Sequence, residues 1–126
     1  MDTEKLHEEY RQFQQTNEGF AEMMVLTKEG TIMFLTDSTF ISEEDARNLM
    51  DAWLTRKSAA VIGEDRYPIL SWETIQFAAR NVKGKGALIG CLTKSDNYIV
   101  VHLEPHCKTP PAIAAINLNR WSWHIT

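Results

Sequence analysis

Three groups of residues carry side chains able to do chemistry. The first is Arg80-Asn-Val-Lys-Gly-Lys-Gly86, in which two lysines alternate with two glycines behind an arginine. Glycine enters positive-φ turns without steric cost, so this segment reads as a tight connection that holds cations together. In a chain of net charge −4, cations gathered in one turn point to a negatively charged partner. The bland reading is a solvated hairpin turn, and the spacing lacks the pattern of a nucleotide phosphate loop.

The second group is His102, Glu104, His106 and Cys107. Zinc takes such ligands, but a structural site normally needs four in a tetrahedral array. Here they straddle Pro105 with no recurring motif, so no metal or other cofactor is expected. The third is Cys91 with His102, a nucleophile and base if their strands are neighbours. Cys91 sits in the apolar run Leu88-Ile-Gly-Cys-Leu92, where a small buried thiol is the ordinary occupant. With no serine elbow and no two-histidine zinc helix, the chain is expected not to be an enzyme.

The elements that position these residues follow from periodicity. Leu6, Tyr10 and Phe13 mark one face of a helix over residues 6–15. Residues 20–27 and 31–36 form a hairpin about Lys28-Glu29-Gly30. Ser42 caps a helix whose first turn holds Glu43, Glu44 and Asp45, and whose apolar face is Ala46, Leu49, Met50, Trp53 and Leu54. Short apolar runs at 59–62, 67–70, 74–79, 87–92 and 98–103 predict an antiparallel meander, with 71–81 open between strand and helix. Pro110 and Pro111 lead into a helix over 112–123. The order predicts one α+β domain over residues 1–126, a central antiparallel sheet carrying the terminal helices on one face and a further helix on the other.

Bulk properties narrow the function. No apolar run approaches the roughly 20 residues that span a bilayer, and no leader opens the chain, so a cytoplasmic, non-membrane protein with two free thiols is expected. Residues 1–53 hold 12 acids and 4 bases, whereas residues 54–126 hold 5 acids and 9 bases. The negative total disfavours nucleic acid, while the basic second half suits an acidic protein. Tyr10 near the start and Trp121 and Trp123 near the end place aromatic rings on helices that could share a surface. Such rings are either core or a dock for proline-rich peptides. Trp121 and Trp123 differ by two positions, so one helical face cannot bury both.

The ordered series of these motifs resembles profilin, the small actin-monomer-binding family, from Met24 to Asn117. Val25-Leu-Thr-Lys-Glu-Gly-Thr-Ile32 is similar to the first profilin hairpin. The Ser42 helix, the turn Gly63-Glu-Asp-Arg-Tyr67 with Ile69, and Phe77-Ala-Ala-Arg-Asn-Val-Lys-Gly-Lys-Gly86 follow in the family's order. The resemblance implies a monomeric regulator of actin polymerisation associated with the cytoskeleton. It places Arg66, Ile69, Arg80, Lys83, Thr109 and Asn117 against the actin monomer, which is itself acidic. It also implies binding of proline-rich proteins between the terminal helices and of phosphoinositides through basic residues.

The chain departs from the family where the proline-rich site would lie. The first-helix tryptophan–tyrosine pair is matched by His7 and Tyr10, and the hairpin tryptophan by Met33. Trp123 falls near a C-terminal groove position. Weak proline-rich binding and an archaeal-like member are what these departures imply. The rival reading is a dimeric scaffold of the roadblock or longin type, which has a similar mix of helices and sheet.

Overall fold

The runs read as strands assemble into a seven-stranded antiparallel sheet in the computed structural model, which describes residues 2–125. The elements are α1 (Thr3–Thr16), β1 (Phe20–Leu26), β2 (Ile32–Leu35), α2 (Glu43–Leu54), β3 (Ala59–Ile62) and β4 (Asp65–Trp72). They continue with β5 (Gln76–Arg80), β6 (Ala87–Leu92), β7 (Tyr98–Leu103) and α3 (Pro111–Ile125). The sheet order is β2-β1-β7-β6-β5-β4-β3. The central strands β6 and β7 are covered on both faces, which is why their sequences are near-continuously apolar.

Alternation along each strand divides the core in two. Met24, Leu26, Phe77, Ala79, Leu88 and Val100 face α2, which contributes Leu49, Met50 and Trp53. Met23, Val25, Ala78, Ile89 and Val101 face the terminal helices, which contribute Leu6, Tyr10, Ala114, Ala115 and Leu118. The terminal helices therefore share one face and α2 takes the other, as the sequence predicts. Small residues on α3 let it lie close over β5 and β6. Gly90 does the same for α2, because a Cβ there would stand 2.9 Å from the Trp53 ring. The Trp53 indole donates to the Glu73 carbonyl at 3.0 Å, so the buried ring leaves no polar atom unpaired.

The α2 cap has the predicted form. The Ser42 hydroxyl accepts from the Asp45 amide at 3.0 Å, and the Asp45 carboxylate accepts from the Ser42 amide at 3.5 Å. Two free amides of the first turn are thereby satisfied, an arrangement whose removal costs about 1 kcal/mol. Two expectations need adjustment. The β3–β4 turn shrinks to Gly63 and Glu64, because Asp65 already pairs with Ile62. Residues 71–81 hold no helix: β4 runs on to Trp72, and β5 supplies the alternating residues that pair with β6.

Candidate functional site: the open sheet face and the basic turn

On the α3 side, the sheet is only partly roofed. α3 lies over β5 and β6, and the outer surfaces of β3 and β4 stay open. Val61 on β3 pairs with Arg66 on β4, so the two side chains stand together on that face. Val61 is 41% exposed and Leu70 is 58% exposed. Arg80 is also exposed, and alternation puts it on the face of Ala78. Ile113 and Asn117 lie one turn apart on α3, neither of them fully buried.

The basic turn joins this face at the end of β5. Gly84 and Gly86 take φ of 84° and 89°, the left-handed conformation that the glycine spacing predicts. Gly86 has a second constraint, since a Cβ there would fall on the Leu103 carbonyl oxygen. Asn81 organises the turn. Its side-chain oxygen accepts from the amides of Lys83 at 2.8 Å and Lys85 at 3.1 Å. Its side-chain amide donates to the Arg66 carbonyl at 2.8 Å. Lys83 projects into solvent from this fixed backbone.

A cleft of about 180 Å³ brings Arg80 and Gly86 beside Thr109 and Pro111 at the start of α3. Five of the six residues predicted for a partner surface, Arg66, Arg80, Lys83, Thr109 and Asn117, are thus at least partly accessible. Ile69 is the correction. It points into the α2-side core and is 8% exposed, while Leu70 takes the outer position. The register shifts between Ile69 and Ser71, so a short apolar run did not reveal which residue faces out. Val61, Leu70 and Asn81 join this candidate face, and neither composition nor spacing points to them.

The aromatic groove expected between the terminal helices is also built differently. Tyr10 is 1% exposed, and its hydroxyl donates to the Ala21 carbonyl at 2.6 Å. Burial, with Glu22 nearby, pushes its phenol upward. Its ring meets Trp121 at 5.7 Å, and Phe13 meets Trp121 at 5.0 Å. Trp123 is turned away by its two-residue offset: its indole donates to the Leu92 carbonyl at 3.0 Å, under the Lys94 ammonium. Tyr10 and Trp123 therefore do not form one groove. His7 packs edge-on against Phe34 at 5.6 Å. A cleft of about 330 Å³ does lie near these helices, lined by Leu6, Met33, Ile125, Lys5 and Asn97 among others. Of the four residues predicted there, Met33 alone lines it.

The remaining chemical candidates separate in space. Cys91 pairs with Ile99, and His102 pairs with Leu88. Cys91 donates to the Ser122 hydroxyl at 3.4 Å under α3, and burial pushes its thiol up to about 12. His102 lies on the other face, so the thiol–imidazole pair does not form. His106 meets Glu104 at 3.0 Å, while the Cys107 thiol lies by the Glu18 carbonyl. Both cysteines are free thiols. Among the described residues, no three metal-ligating side chains converge, and no helix is long and apolar enough to cross a membrane.

Known proteins place this geometry. No family model matches the chain. A curated relative, Loki profilin-3 of Lokiarchaeum sp. (strain GC14_75), is 27% identical over 103 residues, covering 81% of this chain and 83% of its own. The structure of LokiProfilin1 in complex with rabbit actin superposes with a TM-score of 0.78 at 17% identity, over 98% of this chain and 95% of the other. Acanthamoeba castellanii profilin IA gives a TM-score of 0.64 at 16% identity, over 85% of each chain. The match in order, layers and extent favours this architecture over the roadblock and longin folds.

Proposed function

We propose that this chain, a divergent profilin of the archaeal kind, binds the actin monomer through the open face of β3 to β5 and the start of α3. The observation that carries the reading is the composition of that face. Exposed Val61 and Leu70 offer apolar area, and Arg66, Arg80 and Lys83 add positive charge. A surface with an apolar centre and a charged rim is what a specific protein interface needs. The cations would steer an acidic partner, and the apolar centre would hold it. The kinship with Loki profilin-3 and the likeness to LokiProfilin1, a relative crystallised with rabbit actin, support the choice of partner.

Occupying one face of a monomer limits the contacts by which monomers nucleate. The expected activity is therefore non-enzymatic regulation of polymerisation. Titration of purified actin by calorimetry tests it, with a one-to-one complex as the expected result. Thr109 and Asn117 are placed at the α3 end of the surface, and Leu70 replaces Ile69 at its centre.

Proline-rich binding is a secondary, weak activity in this reading. The cleft lined by Leu6, Met33 and Ile125 supplies apolar contact. Its rings, however, are committed elsewhere: Tyr10 and Trp121 to the helix junction, Trp123 to Leu92. Phosphoinositides would meet the same exposed cations, Arg80 and Lys83, and so compete with actin.

A further inference from the structure

His102 lies between the basic turn and β1. Its Nε2 is 2.6 Å from the Lys85 carbonyl oxygen, and its Nδ1 is 3.1 Å from Glu22 Oε1. The His102 and Glu22 side chains are 14% and 26% exposed, whereas the contact to the Lys85 carbonyl is open to solvent. A carbonyl and a carboxylate both accept hydrogen bonds, so an imidazole between them needs a proton on each nitrogen. The neutral ring carries only one. If that proton stays toward Lys85, a bare lone pair faces the Glu22 carboxylate. If it stays toward Glu22, the tie to the turn is lost.

Phe40 lies 5.0 Å from the His102 ring and Tyr67 6.5 Å, both as ring contacts. The charged and titratable groups on this side are Glu22 of β1, Lys85 of the turn, and Tyr67 with Asp65 of β4. Asp37, Asp45, Glu64 and Asp65 line the cleft shared by Phe40, Tyr67 and Lys85. Glu104, just after β7, is engaged by His106.

We propose that His102 is a positioning residue for the basic turn: as an imidazolium it ties the turn to Glu22, and loss of its proton to water releases that tie. Imidazole is the side chain that most readily exchanges a proton near neutrality, and two acceptors on one ring make the tie depend on that proton. The consequence for actin rests on the function proposed above, because Lys83 sits on the backbone that His102 holds. More acidic solution would then favour the fixed turn and tighter binding. Asn81 secures the turn from the Arg66 side, so release is local rather than an unfolding.

The test is an NMR titration of the full chain, following the ring nitrogens of His102 and the amides of Lys83, Lys85 and Gly86. The ring should carry two protons at the acidic end, and the turn amides should shift along the same curve as the ring. His102→Gln keeps a donor for Lys85 but cannot titrate, so its turn amides should stay put. Glu22→Gln provides a second variant, because an amide can accept from Nδ1–H or donate to bare Nδ1, and the coupling should vanish there too. His106→Gln should leave the coupling intact. A singly protonated ring throughout, or turn amides that ignore its titration, overturns the proposal. Actin titration at both ends of the pH range is the separate arm. A responsive turn without actin binding leaves the device standing and removes the partner.

Discussion

Asn81 donates its side-chain amide to the Arg66 carbonyl, 2.8 Å away, and so ties the basic turn to the neighbouring strand. The same side chain accepts two turn amides, and Asn81 is itself buried. One residue thereby fixes the positions of cations on two strands and a loop. The surface is preorganised, so a partner need not order the turn as it binds.

Replacing Asn81 by Ala should cost about 1–3 kcal/mol of stability, since the partners of a buried amide lose their bonds together. Urea denaturation measures this. Binding of the proposed partner should weaken as well, although position 81 is too buried for direct contact.

Exchanging Arg80 and Lys83 for Glu should act in the opposite way. Stability should change by under about 0.5 kcal/mol, because both side chains are exposed. Affinity for actin should fall by about 2–4 kcal/mol as attractions become repulsions. The wild-type interaction should weaken with added salt, which screens over about 10 Å at 0.1 M. Calorimetry at two salt concentrations checks both effects, and unchanged affinity in the double variant would assign the turn to solvent.

The two turn glycines should respond differently to substitution by Ala. Gly84 has a positive φ of 84° but open space around its missing Cβ. The expected cost is about 1–2 kcal/mol of backbone strain. Gly86 has a φ of 89° and also faces the Leu103 carbonyl, so the backbone itself must move. A loss of about 3 kcal/mol or more follows, combining strain with a clash. Thermal melts of the two variants would order them.

How much of this was readable beforehand depended on which signals are local. The α2 cap was legible because Ser42 and the three acids that follow it report on one another within a turn. The layering was legible from continuous apolar runs at 87–92 and 98–103. The outward residue of β4 was not, because Ile69 and Leu70 are both apolar and an irregular register separates them from Ser71. Asn81 stands alone between a strand and a turn, and only the tendency of Asn to bond nearby backbone hinted at its role. The direction of Trp123 was not legible, because its partner, the Leu92 carbonyl of β6, lies 31 residues away. His102 was noticed as chemistry, but its partners Glu22 and Lys85 lie 80 and 17 residues away.

Thiol chemistry offers a check on the α3 packing. Burial pushes Cys91 up to about 12. Only the thiolate attacks alkylating reagents, so at pH 8 Cys91 stays almost wholly in the unreactive thiol form. Cys107 is partly exposed and should react first. Mass spectrometry after a short iodoacetamide pulse should find label on Cys107, and on Cys91 only after denaturation. Rapid native labelling of Cys91 would mean that α3 opens readily.

A ten-proline peptide tests the secondary site. The cleft proposed for it has no aromatic lining among the described residues, and aromatic anchors are commonly worth about 2 kcal/mol each, so binding should be on the order of 0.1–1 mM or weaker. NMR shifts should centre on Leu6, Met33 and Ile125 and spare Trp123. Micromolar binding, or shifts centred on the basic turn, would contradict this placement.

Pyrene-actin polymerisation with this protein in excess over actin monomer tests actin binding most directly. The lag should lengthen as protein concentration grows, and shorten when Arg80 and Lys83 are both replaced by Glu. An unchanged lag with every actin tried, including that of the host, would contradict actin binding.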